Sequence, residues 1–501
     1  MKSLWLEASN KEEFPRLLRD KKIKVCVIGV GIFGIMTAYY LTKEGYDVCI
    51  LEKEESPFLK TTGHTTAKIT AQHGLLYHYL LQEKGEEAAR EYWRLNTEAI
   101  EEIEQNIEDN KIDCSFERKT NYIYTTEEVE VEKIKEECEA LKQLAIPYVY
   151  QEEVDLPFKI KAAIGIPHQA QFHPIQYLQG ILQVLKQSGV EIYTNSPCLD
   201  IKKEGENYEC KTPHGSIFAE KVVMATHYPV LNIPGFYFTK MYQSSSYVIA
   251  IETKKSLPEG MYLNIEAPIY SFRTATIKDK NYLLIGGADH KTGDNITYQD
   301  SYGVLEQKAK ELYPDAKVVY RWSTNDCITL DKIPYIGEFS SLMKNVYIAS
   351  GFNKWGMTSS HVAAKLIVQK ITKKIENVPE IFTATRFEPI DNKDEMKNMV
   401  TDTIKSMVGK RIKKEKLKLE DIKEETGAII EAEGGKLGVY KRGDGSFILI
   451  RPVCTHLGCM LTWNDADKTW DCPCHGSRFD KEGNVLQGPA MRNLDKVEIE
   501  E

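Results

Sequence analysis

The sequence predicts three parts: an α/β domain, a group of β-strands inserted into it, and a small all-β domain at the C-terminus. A strand, a glycine-rich turn and a helix follow one another near the start, which is typical of α/β proteins. Short apolar runs recur between about 230 and 335, and beyond Leu419 such runs alternate with glycine turns. We expect the first domain over 20–390, a linker over 391–416 and the last domain over 417–501.

Composition and charge limit the classes of function. The chain has 501 residues and a net charge of −9, which disfavours a nucleic-acid partner. No apolar run approaches the about 18–20 residues of a membrane-spanning helix. Residues 1–20 are polar and lack the apolar core of a secretion signal. We therefore expect a cytoplasmic protein, in which the seven scattered cysteines outside the C-terminal domain stay reduced.

The glycine-rich turn carries the first functional prediction. A β-branched segment over 23–28 is followed by Gly29, Gly31 and Gly34, and then by a helix pattern. Glycines at these positions permit a tight turn, close approach of the backbone to a pyrophosphate, and close packing of helix on strand. The helix N-terminus offers free N–H groups to the phosphates. Glu52 ends the next strand and is placed to accept hydrogen bonds from a ribose.

The glycine motif alone fits NAD or FAD, and three later segments favour FAD. Residues 221–226 form a hydrophobic strand similar to one in flavoproteins with two dinucleotide-binding domains. Residues 346–351 form another buried strand, and a helix pattern from Ser360 offers its N-terminus to the electron-rich edge of a reduced flavin. Small polar residues over 61–66 follow the second strand, where flavin enzymes place such residues near the ring. The further residues predicted to bind FAD are Phe33, Thr65, Thr66, Gly351, Trp355, Gly356, Met357 and Thr358.

The order of these segments resembles the D-amino-acid-oxidase-like FAD oxidoreductases, the group that contains glycine and sarcosine oxidases. The similarity covers residues 20–390 and includes a segment from Gln169 to Pro174 that is followed by a helix to Gln187. The resemblance implies a Rossmann-like FAD-binding domain and a small-molecule substrate that is oxidised at a C–N bond. It also implies that the inserted strands form an antiparallel β substrate sheet that covers the flavin.

Two residues on the substrate side lead to opposite predictions. Arg273 ends a predicted strand and is placed to grip a carboxylate, with a surface or interdomain ion pair as the alternative. Amino-acid oxidases of the family often carry an Arg four residues after a Trp, but this sequence has Asp326 four residues after Trp322. An acid repels an α-carboxylate and favours an amine. We therefore expect a small amine or amino-acid-like substrate.

The predicted linker over 391–416 combines an amphipathic helix with a basic run. Met396, Val400 and Ile404 recur at helical spacing, and most residues of 410–416 are Lys or Arg. Two interpretations stay open for this pattern. One is peripheral contact with an anionic membrane, and the other is a solvated linker or a docking patch on this acidic protein.

The C-terminal domain contains two loops rich in potential metal ligands. The first loop is C-T-H-L-G-C from Cys454, and the second is C-P-C-H-G-S from Cys472. Two Cys and two His suit a [2Fe–2S] centre with thiolates on one iron and imidazoles on the other. The same ligand types also satisfy tetrahedral zinc, which is the alternative. The domain is small, with about 85 residues, so a bound metal centre would help to stabilise it.

The two loops resemble the Rieske signature C-x-H-x(15–17)-C-x-x-H, because fifteen residues separate the first His from the second loop. The resemblance implies a ligand set of two Cys and two His: Cys454, His456, Cys472 and His475. It also implies a disulfide between Cys459 and Cys474, which Rieske proteins of the cytochrome bc type carry between their cluster loops. The combination of both parts resembles a bacterial group of fused FAD–Rieske oxidoreductases.

The two cofactors together predict a converter of two-electron into one-electron chemistry. We expect FAD to take a hydride from the substrate, and the [2Fe–2S] cluster to pass electrons singly to an unknown one-electron acceptor. Two alternatives stay open: an oxygen-using amine oxidase with a structural cluster, and a non-catalytic redox-sensing protein. A sensor has no need of a substrate sheet, which argues against the second alternative.

Phe479 predicts a cluster potential below the top of the Rieske range. High-potential relatives carry a Tyr two residues after the Gly-Ser pair, and the Tyr hydroxyl bonds a ligand sulfur. This sequence keeps Ser477 but has Phe479 in place of the Tyr, and fewer hydrogen bonds to sulfur lower the potential. A redox titration is expected to give a midpoint within about −150 to +300 mV but below the upper end. A midpoint at the upper end would contradict the argument.

Overall fold

The computed structural model describes residues 3–294, 301–386, 419–432 and 435–497. The predicted linker over 391–416, with its amphipathic helix and basic run, lies outside the described residues. None of the described helices combines the length and the apolar character that crossing a membrane requires. The α-helices are α1 (Leu4–Glu7), α2 (Ile32–Lys43), α3 (Tyr77–Glu83), α4 (Glu86–Asp109), α5 (Val131–Gln143), α6 (Pro174–Gln187), α7 (Ser301–Leu312) and α8 (Gly356–Ile371).

The described strands fall into three stretches of the chain. The first stretch contains β1 (Lys21–Ile28), β2 (Val48–Leu51), β3 (Lys68–Ile69), β4 (Glu117–Thr125), β5 (Val149–Gln151), β6 (Ala162–Gln171), β7 (Glu191–Tyr193), β8 (Asp200–Glu204), β9 (Asn207–Lys211) and β10 (Ser216–Met224). The second contains β11 (Met241–Glu252), β12 (Met261–Asn264), β13 (Tyr270–Ile277), β14 (Lys280–Lys291), β15 (Lys317–Thr329), β16 (Tyr335–Glu338) and β17 (Val346–Ser350). The third contains β18 (Thr426–Ala432), β19 (Gly435–Lys441), β20 (Phe447–Ile450), β21 (Thr462–Asn464), β22 (Thr469–Asp471), β23 (Arg478–Asp480) and β24 (Val485–Gln487).

The first sheet holds the glycine-rich turn. Its main path runs β16-β17-β10-β1-β2-β7, and β1 pairs in parallel with both β2 and β10. All four residues of β2 are buried, as expected for a strand inside a parallel sheet. The predicted α/β dinucleotide-binding architecture is therefore present. One boundary differs: α8 begins at Gly356 rather than at Ser360, because the N–H of Ser359 already bonds the carbonyl of Trp355.

The second sheet has nine strands in the order β15-β11-β14-β13-β12-β4-β6-β3, with β5 paired to β6. The predicted strands of the inserted sheet lie within β11, β13 and β14, which pair in an antiparallel manner. Four strands from before residue 230 also join this sheet, so it extends beyond the predicted 230–335. One pair, β12 with β4, is parallel. Pairing between segments that are distant in sequence leaves no local pattern, which is why it was not predicted.

The C-terminal domain, formed by the described residues from 419 onward, is all-β as predicted. It consists of a three-stranded sheet, β18-β19-β20, and a four-stranded sheet, β21-β22-β23-β24. Its core contains the buried rings of Tyr440, Trp470 and Phe479. Phe479 therefore contributes to packing, where its ring meets the strand that contains Trp470.

The C-terminal domain packs on the second sheet near its β15 edge. Asn464 donates from Nδ2 to the hydroxyl of Tyr247 on β11 over 3.1 Å. Ser323 on β15 donates to Asp467 Oδ2 over 2.8 Å. A Cβ added to Gly293 would lie 2.4 Å from the backbone nitrogen of Pro473, so the absence of a side chain permits this close approach. The two domains are thus joined by direct contacts between backbones and polar side chains.

Arg478 connects the two domains from a buried position. Its Nη1 donates to Asn325 Oδ1 on β15 over 2.7 Å. Its other guanidinium nitrogens pair with Asp467 at 2.5 Å and Asp471 at 3.1 Å within its own domain. Burial alone lowers the pKa of Arg478, but the two carboxylates outweigh burial and raise it, so the side chain stays charged. Removing one partner of such a buried pair typically costs about 3–5 kcal/mol.

Candidate functional site

The glycine-rich turn is shaped by contacts that only glycine permits. Gly29 has a φ of +111°, and a Cβ there would lie 2.7 Å from the carbonyl oxygen of Ala225, the residue that follows β10. A Cβ on Gly34 would lie 2.0 Å from the carbonyl oxygen of Gly29. Gly31 immediately precedes α2 and supplies no side-chain cap; the N–H of Ile32 donates to Thr62 Oγ1 over 3.2 Å, and the later N–H groups of the first turn are left for a ligand. This arrangement exposes backbone donors and a positive helix end to an anion.

Glu52 lies at the end of β2 and is fixed by two backbone groups. Its Oε2 accepts from the N–H of Val30 over 2.8 Å, and its Oε1 accepts from the N–H of Glu54 over 2.9 Å. Burial raises the pKa of Glu52, while these two hydrogen bonds lower it. The carboxylate is therefore oriented beside the glycine turn, where its remaining lone pairs are available to ribose hydroxyls.

A cavity of about 700 Å³ extends from the glycine turn to the second sheet and on to the C-terminal domain. Its volume lies within the range of about 300–1,000 Å³ that is typical of ligand sites. The lining includes the predicted residues Gly29, Gly31, Phe33, Glu52, Thr65, Thr66, Gly351, Trp355, Gly356 and Met357. It also includes five residues of one C-terminal segment: Leu486, Gln487, Gly488, Pro489 and Met491. One continuous space thus borders all three parts of the molecule.

The cavity wall carries buried polar atoms that lack a partner within the described part of the chain. These atoms are Thr226 Oγ1, His227 Nε2, Tyr228 OH, Ser246 Oγ, Thr324 Oγ1 and Ser360 Oγ. Each buried polar atom without a partner costs about 1–3 kcal/mol, so the wall is suited to a polar ligand. A long ligand with a pyrophosphate, a ribose, a hydroxylated chain and a polar ring system fits this pattern, as FAD does. The glycine turn, Glu52 and the unpartnered atoms are the residues that would hold it.

The N-terminus of α8 borders the cavity near the second sheet. Gly351 has a φ of +71°, and a Cβ there would lie 2.2 Å from Thr329 Cγ2. Trp355 lines the cavity and stacks on His73, with ring centroids 5.0 Å apart. Two predicted FAD residues do not line the cavity. Gly34 packs against the turn itself, and Thr358 turns away, because its hydroxyl donates to the carbonyl of Thr70 over 3.1 Å.

Asp326 lies on β15 and faces the cavity beside an ion pair of two further lining residues. Lys354 Nζ lies 2.5 Å from Asp289 Oδ2, and all three side chains border the same space. Burial raises the pKa of Asp326 to about 6; Lys354 acts against this shift and Asp289 adds to it. The carboxyl therefore changes its charge close to physiological pH. The sequence does not indicate this group of three side chains, because only the fold brings Asp289 and Lys354 next to Asp326.

Arg273 does not occupy the position that the sequence suggested. The residue is buried, and its guanidinium donates to the backbone carbonyls of Thr66, Ala67, Phe172 and Thr274. It is absent from the cavity lining. The prediction of a carboxylate grip is therefore wrong, and so is the surface ion pair. Arg273 instead fastens the segment after the cavity residues Thr65 and Thr66 to β13.

The four predicted cluster ligands meet between the two C-terminal loops. The ring centroids of His456 and His475 are 5.0 Å apart, and both nitrogens of His456 and Nδ1 of His475 are buried without a partner in the described residues. A hydrogen bond from Cys472 lowers the pKa of Cys454 to about 7 against the effect of burial, and Ser477 acts in the same direction. The lowered pKa favours the thiolate of Cys454, which is the form that binds metal, whereas the same hydrogen bond and burial raise the pKa of Cys472. The donor set fits a two-thiolate, two-imidazole centre.

The predicted disulfide between Cys459 and Cys474 is present. The sulfur of Cys472 lies within 4.8 Å of both disulfide sulfurs, but these two are bonded to each other and are not thiolates. Phe238, from the first domain, packs edge-on against both cluster histidines, at 6.4 Å from His456 and 5.7 Å from His475. The histidine side of the cluster site therefore faces the first domain, which the sequence did not predict.

Comparison with known proteins agrees with both sites. Residues 24–370 match the family model "FAD dependent oxidoreductase", and residues 414–498 match the Rieske [2Fe-2S] domain. The chain belongs to this family of FAD-dependent oxidoreductases and carries a Rieske domain at its C-terminus. It binds FAD and a [2Fe–2S] cluster, which decides between the cluster and the zinc alternative.

Similar proteins share one or both parts. YhfW of Bacillus subtilis, whose name describes a Rieske 2Fe-2S iron-sulfur protein, is 37% identical over 497 residues, which cover 99% of this chain and 97% of that protein. Gamma-glutamylputrescine oxidoreductase of Escherichia coli is 23% identical over 387 residues, covering 73% of this chain and 88% of that protein. Glycine oxidase from Geobacillus kaustophilus has a TM-score of 0.61 at 18% identity and covers 73% of this chain and 99% of its own, which shows the same fold.

Gly34→Ala is expected to abolish FAD binding. The new Cβ would overlap the carbonyl oxygen of Gly29 and force the turn and α2 apart, which removes the phosphate site. The flavin content of the purified protein, measured by absorbance after denaturation, should fall to near zero. Gly189→Ala is the matched control, because that glycine has a φ of +78° but open space around it. Full flavin content in Gly34→Ala would show that the turn tolerates the side chain.

Proposed function

We propose that this enzyme oxidises a C–N bond of a small amine or amino-acid-like substrate and passes the electrons singly through its Rieske cluster to a one-electron acceptor. The observation that carries the proposal is the shared cavity. The space that fits FAD is lined in part by Leu486, Gln487 and Met491 of the Rieske domain, and Ala490 of the same segment bonds Ser477 of the cluster loop. A cluster with only a structural role has no need of this position.

Asp326 supports an amine as the substrate. Its carboxyl borders the cavity, and burial raises its pKa to about 6, so it is negatively charged at neutral pH. A buried carboxylate attracts the ammonium group of an amine and repels an α-carboxylate. One relative is named for γ-glutamylputrescine and a fold neighbour for glycine, which also points to C–N substrates. Lys354, one of several cations that line the cavity, forms an ion pair with Asp289 and offsets the raised pKa of Asp326 only in part.

The residues of the chain divide the work of the proposed reaction. When bound, FAD supplies a two-electron hydride acceptor, and the [2Fe–2S] cluster supplies a one-electron carrier. The glycine turn and the N-terminus of α2 bind the phosphates, and Glu52 holds a ribose. The N-terminus of α8 places a positive helix end beside the cavity, where it stabilises negative charge. Asp326 holds and orients the substrate's nitrogen. A cytoplasmic location is part of the proposal and is supported by seven buried cysteines outside the cluster loops that are not disulfide-bonded in the described residues.

Cys454→Ala is expected to separate substrate oxidation from electron export. A screen of amines and N-methyl amino acids with a dye acceptor first identifies a substrate. In the wild type, anaerobic substrate should bleach the flavin absorbance and then produce the EPR signal of the reduced cluster. In Cys454→Ala the flavin should still bleach, while reduction of ferricytochrome c should fall by at least about tenfold, because the relay is broken.

Cys138→Ala serves as the control, since Cys138 is buried on α5 and lies in neither site. Undiminished turnover of Cys454→Ala with stoichiometric peroxide would instead establish an oxygen-using oxidase with a structural cluster. Bleaching of the wild-type flavin without reduction of its cluster would exclude the relay.

The activity is expected to fall at acidic pH because of Asp326. The carboxyl is neutral below its pKa of about 6 and charged above it, so kcat/KM for a cationic amine should decline as the pH falls through this value. Asp326→Asn should lower kcat/KM at pH 7.5 by about ten- to hundredfold and remove this acidic limb. Asp315 is exposed and accepts hydrogen bonds from the hydroxyl of Thr253 and the N–H of Lys254, so Asp315→Asn should leave the pH profile unchanged. An acidic limb that persists in Asp326→Asn would assign it to another group.

A further inference from the structure

One segment of the Rieske domain contacts both the FAD cavity and the cluster loops. We name residues 486–491 the partition. Its inner side lines the cavity through Leu486, Gly488 and Pro489 among others. On its other side, the N–H of Ala490 donates to Ser477 Oγ over 3.0 Å, and Ser477 in turn bonds Cys454. The partition therefore contacts the cavity and the hydrogen bonds of a cluster ligand at the same time.

Gln243 on β11 is the residue of the first domain that fixes this arrangement. Its amide Nε2 donates to the backbone carbonyl of His475 over 2.9 Å and to that of Gly488 over 2.9 Å. Its Oε1 accepts from Gln487 Nε2 over 2.5 Å. The side chain is buried, with 1% of its surface exposed. All of these partners belong to the Rieske domain, and one of them is a cluster ligand.

The backbone on both sides of Gln243 leads to the cavity and to the cluster. In the β11–β15 ladder, Gln243 pairs with Cys327, which lines the cavity. On the other side, a Cβ added to Gly476 would lie 2.4 Å from Gln243 Cβ, so the loop after His475 rests directly on this side chain. The route from the cavity wall to His475 therefore has two steps. The first is the β-ladder pair of Cys327 with Gln243, and the second is the hydrogen bond from Gln243 to the carbonyl of His475.

We propose that Gln243 is the positioning residue for electron transfer from flavin to cluster: it holds His475 and the partition against the cavity and supplies the hydrogen-bonded path between them. This inference rests on the proposed function. Each transfer removes one electron from the reduced flavin and converts one ferric ion of the cluster to ferrous. Two transfers reoxidise the flavin, whose protons pass to solvent, and a one-electron acceptor takes the first electron before the second transfer.

Cohesion of the two domains does not account for the orientation of Gln243. Arg478, with Asp467 and Asp471, already connects the Rieske domain to Asn325 through a buried ion network. Gln243 instead directs its donors and its acceptor at the cluster loop and the partition. A residue that served only to join the domains would not need to contact the two structures between which the electron moves.

The test uses the full-length protein with FAD and cluster, and it needs no substrate. Illumination in the presence of EDTA reduces the flavin. The visible and EPR signals of the cluster then report each electron that arrives there. Ferricyanide is added as the final electron acceptor when repeated turnover is measured. In Gln243→Leu and Gln243→Glu at pH 8, the rate of cluster reduction should fall about ten- to hundredfold. The rate of flavin photoreduction and the EPR line positions of the dithionite-reduced cluster should stay unchanged. The exposed Gln183→Leu is the control.

Gln243→Glu adds a second measurement, the pH dependence of the transfer rate, which would not change if Gln243 had only a structural role. Its carboxylate repels the carbonyls of His475 and Gly488, whereas its protonated form donates one hydrogen bond and restores part of the path. The transfer rate of this variant should rise as the pH falls, relative to wild type, while Gln243→Leu should follow the wild-type pH profile at a lower level. If Gln243→Leu fails to bind its cluster, this pH-dependent recovery in Gln243→Glu decides the question.

The outcomes separate the inference from the proposed function. Wild-type transfer rates in both variants, or a slow rate in Gln243→Glu that ignores pH, would overturn the role of Gln243 while leaving the relay intact. Absence of light-driven cluster reduction in the wild type itself would remove the relay, and the role of Gln243 with it.

Discussion

The buried charge of Arg478 is the constraint on which the arrangement of the two domains depends. A buried guanidinium needs hydrogen-bond acceptors for its N–H groups, and here both domains supply them. Asp467 and Asp471 belong to the Rieske domain, and Asn325 belongs to β15 of the second sheet. Separating the domains would leave Asn325 Oδ1 without its donor and expose the ion network to water. The interaction is directional, so it fixes the orientation of the Rieske domain and not only its attachment. The shared cavity is a consequence, because Asn325 itself lines that cavity.

Burial also sets the chemistry of the cavity. Within the part of the chain that the structure describes, the wall carries hydroxyls and one imidazole nitrogen without partners, which suits a polar cofactor, and a carboxyl whose pKa burial raises to about 6. Asp326 and the ion pair of Asp289 with Lys354 border the same space, so the charge at this end changes with the protonation of a single group. An enzyme that binds an amine gains from this arrangement, since the carboxylate attracts the ammonium group at neutral pH. Arg273, the other charged residue predicted to bind the substrate, instead donates its hydrogen bonds to backbone carbonyls.

The sequence was sufficient wherever a function depends on a short segment. The glycine turn, Glu52 and the two cluster loops are local motifs, and the structure places their residues together. It was insufficient where a role depends on long-range packing. Thr358 belongs to a local motif but turns toward Thr70, and Arg273 is directed at carbonyls from segments 100 or more residues away. The edge on which the Rieske domain docks has no sequence pattern at all, because its contacts join residues more than 140 positions apart.

The reasons why particular positions require glycine are also either local or long-range. Gly34 is required by the turn in which it lies, because its missing side chain makes room for the carbonyl of Gly29 five residues earlier. Gly476 also lies inside a recognisable motif, yet its missing side chain makes room for Gln243 of the other domain. Conversely, Gly293 of the first domain lacks a side chain where the backbone of Pro473 of the Rieske domain approaches it. Both domains therefore lack a side chain where the other approaches. Each close contact depends on the docked arrangement, so the surfaces of the two domains are complementary at the level of single Cβ atoms.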